Sequence, residues 1–259
     1  MPSWKVHCLI GEIICFGFCN HEIDALIDVK GRHDRGRYDK SVFTNEALTI
    51  LRKYGANGLC YYILHHILDR LQELLISELA HGYNLYTSGH DINSVYEKVR
   101  SNIISRIRND TRTIFSTYLE EHSDRPEDEI LNAMIRLVLA GIESGIDCIL
   151  FFLISDVNSE GKPTTGTRTY IAILNKLFGE GYRIYRDAEA ASRYVEIHHK
   201  YIIEYLTNII EPAQNMCREI EGKISRNEKL LEELSKIFEI FEKHGIQLYI
   251  LKRLNNTNT

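Results

Sequence analysis

Proline occurs four times in 259 residues and glycine sixteen times. These residues punctuate regular structure, proline by removing a backbone donor and glycine by freeing φ. A chain punctuated so sparsely lacks the turns that a β sandwich or barrel needs at short intervals. Long helices remain, and apolar residues recurring every three or four positions agree with them. The expected class is all-α, a multi-helix bundle followed by long C-terminal helices. Hydrophobic residues at 44% and charged residues at 26% are ordinary globular values and exclude wholesale disorder.

Helical patterns cover residues 5–18 and 22–29, and the charged stretch 30–40 (KGRHDRGRYDK) reads as a junction. A helix over 45–54 should end at Gly55 and Gly58, and a longer one spans about 59–80. After a loop at 82–93 another helix runs from about 94 to 120. Pro126 suits a helix N-terminus, and the apolar run behind it reaches Ile154. That run contains Asn132, Arg136, Glu143, Ser144 and Asp147, too many polar groups for a membrane span, so it reads as a buried helix. Residues 1–155 are expected to form one helical domain, 156–168 a polar linker, and 169–259 a C-terminal helical region that can pack onto the first. Within that region a short helix near 169–178 precedes a long one near 186–211, which Pro212 stops. In the last helix, 213–243, the stripe of Met216, Ile220, Ile224, Leu231, Leu234, Phe238 and Phe241 suggests a helical hairpin or a homodimer contact. Residues 247–251 could add a short strand.

The net charge of −5 argues against a protein whose main task is coating nucleic acid. Six cysteines, at 8, 15, 19, 60, 148 and 217, include no CxxC pair, and the opening MPSWKVH lacks the pattern of a signal peptide. Reduced thiols and a cytoplasmic location are the resulting expectation. Cys8, Cys15 and Cys19 then pack as small hydrophobes on one helical face.

Chemistry is sought among the eleven histidines and their acidic neighbours. His33 and Asp34 are adjacent, a pair that can reach one ion, and Lys30, Arg32, Arg35, Arg37 and Lys40 around them make a plausible phosphate cradle. On helix 59–80 the apolar face is Tyr61, Leu64, Leu68, Leu71, Leu75 and Leu79. His66 falls on the opposite, polar side, and His65 lies at the boundary one turn from Asp69. An HxxxD pair of this kind places imidazole and carboxylate on one helix face, as two ligands or as ligand and orienting partner. Between His65 and His66 the functional choice is His65. Asp110 falls within the apolar stripe Val99, Ile103, Ile107 and Ile114, where a carboxylate must be paired, protonated or metal-bound. Glu143 and Asp147 sit four residues apart and call for a cation, with Arg136 the candidate. His198 and His199 have no carboxylate at a distinctive spacing. His7 has Gly11 one turn below it, and glycine permits close approach of another element.

Taken together, His7, the pair His33-Asp34 in HDRGR and a later Asp110 resemble the HD superfamily of metal-dependent phosphohydrolases. The resemblance covers about residues 1–120, with Ile23–Asp28 before the pair and Gly36-Arg37 after it. Arg35 stands where that family usually has an apolar residue. The resemblance implies an HD-like bundle in which His7, His33, Asp34 and Asp110 hold a divalent metal (Mn, Fe, Ni, Zn or Mg), with His65 as the further histidine of two-metal members. It implies that Arg35 and Arg37 neutralise a phosphorylated small molecule or nucleic-acid end, and that Asp69 or Glu143 orients the attacking water. A second resemblance, carried by His65-xxx-Asp69 with Trp4 and His7, is to zinc-dependent phospholipase C and S1/P1-type nucleases. The alternative of another kind is a non-catalytic helical scaffold that self-associates through residues 213–243.

Overall fold

The computed structural model describes residues 4–29, 39–114 and 126–154, with isolated helical positions at 235, 236, 239, 240 and 243. The described residues are almost all helical: α1 (Trp4–Ile14), α2 (His21–Ile27), α3 (Lys40–Thr87), α4 (Ile92–Ile114), α5 (Pro126–Ser144) and α6 (Ile146–Ile154). None of these helices is long and apolar enough to cross a membrane. The proposed linker, the helices expected near 169–178 and 186–211, the stripe from Met216 to Phe241 and the strand at 247–251 lie outside the described residues, and only the isolated positions above fall within the expected helix 213–243.

Helix starts are set by short polar side chains. The extended Asn20 accepts from the Glu22 N–H at 2.8 Å and opens α2. Asp39 accepts from the N–H groups of Ser41 and Val42 at the start of α3, and Asp91 from those of Asn93 and Ser94 at the start of α4. Pro126 opens α5, with Glu127, Asp128 and Glu129 in its first turn.

Helix α3 runs from 40 to 87 across one break. Gly55 has φ 70° and ψ −164°, a conformation that glycine alone adopts readily, and the axis kinks there. The stop expected at Gly55 is therefore a bend, and the helix resumes straight through Gly58. The loop expected from Gly82 begins only after Thr87. The run expected to reach unbroken from Pro126 to Ile154 is two helices separated by a turn at Gly145.

Two compact units divide the chain. In one, Arg70–Ile107 and the residues from Ile146 supply a core that includes Leu71, Leu74, Leu75, Val95, Val99, Ile103, Leu150 and Leu153. Its polar links are Arg106 Nη1 to Glu78 at 2.5 Å, Asn102 to Glu78 at 2.9 Å, and Arg100 Nε to Asp147 at 2.8 Å; the Tyr96 hydroxyl also donates to Asp147.

The other unit combines Ser3–Asp69 with Arg108–Gly145. Its centre is the segment of α3 from Gly58 to Asp69, in which every residue is buried. A helix enclosed on all sides is a core helix, so the face opposite Leu64 and Leu68 is not solvated as its polarity suggested. His66 is fully buried, edge-on to Tyr62 and beside Phe43.

Two glycines let α1 approach its neighbours. A Cβ at Gly11 would lie 2.5 Å from the Tyr61 ring, and one at Gly141 would lie 2.9 Å from Ile14 on α1. Two disulfides fix the same helix: Cys8 to Cys19, and Cys15 to Cys60 on α3. The expectation of reduced thiols packing as small hydrophobes is overturned, because all three N-terminal cysteines are in disulfides and Cys148 is disulfide-bonded as well. Helical phase placed these cysteines together on one face, but spacing alone does not tell a packed thiol from a bonded one. By loop-closure entropy, a bridge across the 45-residue separation of Cys15 and Cys60 stabilises by about 4 kcal/mol.

Gly11→Ala is expected to destabilise the protein by about 1–3 kcal/mol, the usual cost of overpacking a tight contact. Thermal unfolding followed by circular dichroism should show the melting temperature falling by several degrees, and an unchanged melt would mean the Tyr61 contact is looser than drawn.

Candidate metal centre

The candidate centre is assembled by α1, α2 and α3 within one unit. Helix α3 contributes His65 and Asp69, which the i, i+4 spacing puts on one face. Helix α1 contributes His7, which the Gly11 contact brings against α3. Helix α2 and its C-cap contribute Asp24 and Asp28. His7, Asp24, His65 and Asp69 are each at most 1% exposed.

The Asp69 carboxylate faces the Nε2 edges of two imidazoles. His7 Nε2 is 3.4 Å from Oδ1, and His65 Nε2 is 3.6 Å from Oδ2. The two rings are stacked face to face, their centroids 3.9 Å apart and their planes within 2°. Donor atoms of His7, His65 and Asp69 all fall within 4.8 Å of one another. Ligands about 2.1 Å from a single ion in tetrahedral array are separated by about 3.4 Å, so this spacing suits one divalent cation. Two imidazoles and a carboxylate are the donors that Zn²⁺, Mn²⁺ and Fe²⁺ accept.

A second layer orients His65. Its Nδ1 is 2.9 Å from Asp24 Oδ1, and Asp24 also accepts from the Tyr61 hydroxyl at 2.9 and 3.1 Å. His21 Nδ1 is 3.0 Å from the other Asp24 oxygen. In the neutral ring, with Nδ1–H donated to Asp24, the lone pair of His65 is at Nε2, which faces Asp69. Asp28 Oδ1 is 3.7 Å from the same Nε2, while its Oδ2 accepts from Trp4 Nε1 at 2.8 Å. Trp4 in turn stacks on His21.

The electrostatics follow from this crowding of carboxylates. Burial alone would lower the His65 pKa, but the bonds to Asp24 and Asp28 and the charge of Asp69 outweigh it and raise the group to about 9. Burial pushes Asp28 up, yet the bonds from His65 and Trp4 prevail and hold it below the ordinary carboxylate range. Burial, then the charge and hydrogen bond of Asp24, raise the Tyr61 hydroxyl, which stays protonated as a donor.

Of the residues singled out from sequence, the structure brings together His7, His65 and Asp69. Asp69 stands among the donor atoms, where the resemblance had given it the orienting of water. His33, Asp34, Arg35 and Arg37 lie outside the described residues. Asp110 is half-buried and belongs to no metal-ligating cluster among the described residues. Glu143 pairs with Arg108 through two bonds, Nη2 to Oε2 at 2.7 Å, and is no part of the cluster. Arg136 is exposed and does not serve Glu143 and Asp147. Those two acids are on different helices, each with its own arginine, so the like-charge conflict expected of one helix does not arise. Sequence reasoning missed Asp24 and Asp28. The available signal was EIDALID, in which the acids recur at i, i+4 beside the apolar Ile23 and Ile27.

No family profile, characterised protein or solved structure matches this chain.

Two outcomes are expected of the centre. Asp24→Asn should weaken divalent-metal affinity by about 10- to 100-fold in a chelator competition, as loss of a partner orienting a ligand generally does. The His65 pKa, raised above the unfolded value of about 6.5, contributes stability that is fully present below about pH 6.5 and lost as pH rises through about 9. Metal-free protein should therefore melt at progressively lower temperature across that window, and His65→Gln should remove this component; an identical slope in both proteins would contradict it.

Proposed function

We propose that this chain is a metal-dependent hydrolase of phosphate esters, acting on a nucleotide or phosphodiester, with its ion held by His7, His65 and Asp69. The observation that carries the proposal is the buried Asp69 carboxylate facing the Nε2 atoms of two imidazoles, one of them aimed by Asp24. Burying so many ionisable groups without an ion is costly, and placing them at ligand spacing is the usual arrangement of a metal site. A bound divalent ion supplies a Lewis acid for a phosphoryl oxygen and lowers the pKa of its water. His65 and His7 present neutral nitrogens to it, Asp24 holds the His65 tautomer, and Asp28, ionised and 3.7 Å from His65 Nε2, is placed to complete the coordination or take the proton of an incoming water. On sequence grounds Arg35 and Arg37 remain the proposed contacts for substrate phosphate.

The likeness favoured by this geometry is the one carried by HxxxD. His65 and Asp69 act together with an N-terminal histidine, and Trp4 joins through Asp28, which supports the resemblance to zinc-dependent phospholipase C and S1/P1-type nucleases. The HD reading rests on His33-Asp34.

Protein purified without an affinity tag, analysed by elemental mass spectrometry and by hydrolysis of bis(p-nitrophenyl) phosphate, tests the proposal. Wild type should carry close to one equivalent of Zn, Mn, Fe or Ni. His65→Ala/Asp69→Ala should lose the metal and at least 100-fold in rate. Metal retained by His33→Ala/Asp34→Ala supports the HxxxD reading, and metal lost there supports the HD reading. No metal in wild type, even after reloading with Mn²⁺ or Zn²⁺, would sink both and leave a helical scaffold.

A further inference from the structure

Every helix that supplies the candidate centre is cross-linked, and the cross-links converge on the helix that carries His7. Cys8, the next residue after His7, is bonded to Cys19, which precedes the N-cap Asn20 of α2. Cys15, one residue beyond the end of α1, is bonded to Cys60, five residues before His65 on α3. Helix α1 is thereby tied to α2, which brings Asp24 and Asp28, and to α3, which brings His65 and Asp69. The bond between Cys15 and Cys60 is deeply buried, at 0% and 1% exposure.

Packing holds α1 as well: Val6, Ile10 and Ile14 are buried, and Ile14 lies against Gly141. The helix has eleven residues, too few to be stable alone, so its place against α3 depends on that packing, on the Gly11 contact with Tyr61 and on the cross-links. Yet His7 must sit within about 4 Å of both Asp69 and His65 for the three to share an ion. We infer that thiol oxidation assembles the metal centre: the Cys15–Cys60 and Cys8–Cys19 bonds convert α1 from a short helix docked by packing alone into a fixed ligand arm, so that the oxidised chain binds the ion and the reduced chain binds it poorly. The inference rests on the metal site proposed above and adds its regulation.

Each bond forms by thiol–disulfide exchange. A cysteine thiolate attacks a small-molecule or protein disulfide, expels one thiolate, and the resulting mixed disulfide is attacked by the second cysteine. Two cysteine thiols lose two protons and two electrons in all, and the oxidant leaves as two thiols. Because Cys15 and Cys60 are enclosed in the core, this exchange belongs to folding, before the core closes. Cys8 and Cys19 are only half-buried, so theirs is the bond that a reductant reaches first.

The test measures Mn²⁺ binding by calorimetry to full-length wild type refolded with oxidised glutathione or with a phosphine reductant, beside Cys60→Ser, Cys148→Ser and His7→Ala. The expected result is one equivalent of Mn²⁺ on oxidised wild type and on Cys148→Ser, a cysteine that belongs to the other unit. Reduced wild type and Cys60→Ser should bind at least tenfold more weakly while keeping their helical circular dichroism. His7→Ala should bind with the same weakened affinity whether oxidised or reduced, because the cross-links act through His7, and this arm stays informative if Cys60→Ser fails to fold. Equal affinity in oxidised and reduced wild type would overturn the inference and leave the metal site standing. A further loss on reducing His7→Ala would overturn it too. No binding by oxidised wild type would instead remove the site on which it rests.

Discussion

The hydrogen bond between Asp24 and His65 is the interaction on which the arrangement around it depends. An ionised carboxylate enclosed in a helical core is tolerable only when its lone pairs are occupied. Asp24 meets that condition with the Tyr61 hydroxyl, His21 and His65 Nδ1. Each partner then fixes a piece of structure. Tyr61 stands where Gly11 lets α1 come close, His21 opens α2, and His65 turns its other nitrogen toward Asp69. Packing and chemistry share their determinants here, since Tyr61 serves as a wall for α1 and a donor to Asp24.

The fold class was legible because its signal is distributed. Few prolines and glycines and a long apolar periodicity both point to helices. Boundaries were less legible for reasons that can be named. Gly55 and Gly58 look alike in sequence, but only Gly55 adopts a positive φ; Gly58 stays helical, packed against its own preceding turn at Tyr54. Glycine marks permission to bend, and the surrounding packing decides whether the chain uses it. The break at Gly145 was hidden because apolar residues continue on both sides of it.

The candidate centre was partly legible. The HxxxD spacing of His65 and Asp69 is a local pattern, and a helix turns it directly into geometry. The choice of His65 over His66 depended on helical phase, and it agrees with the cluster even though the supposed solvent side is buried. Asp24 and Asp28 were overlooked because their role comes from where α2 docks against α3, a tertiary fact that no local spacing encodes. Glu143 and Asp147 show the reverse error. They look like a shared polar site when placed on one continuous helix, and a single turn assigns them to separate ion pairs. The disulfides are not legible in the cysteine spacing, because the bond of Cys15 to Cys60 depends on where α1 docks against α3.

Trp4 is the only tryptophan in the chain, and its indole N–H is bonded to Asp28, a carboxylate 3.7 Å from His65 Nε2. All tryptophan emission from this protein therefore originates beside the candidate centre, from a ring 41% exposed and stacked on His21. The fifteen tyrosines are spread along the whole sequence. Excitation at the red edge of the absorption band thus addresses the site region alone, and excitation at shorter wavelength addresses the molecule as a whole. The sequence carries its own optical label, attached through one hydrogen bond to a neighbour of a candidate metal ligand.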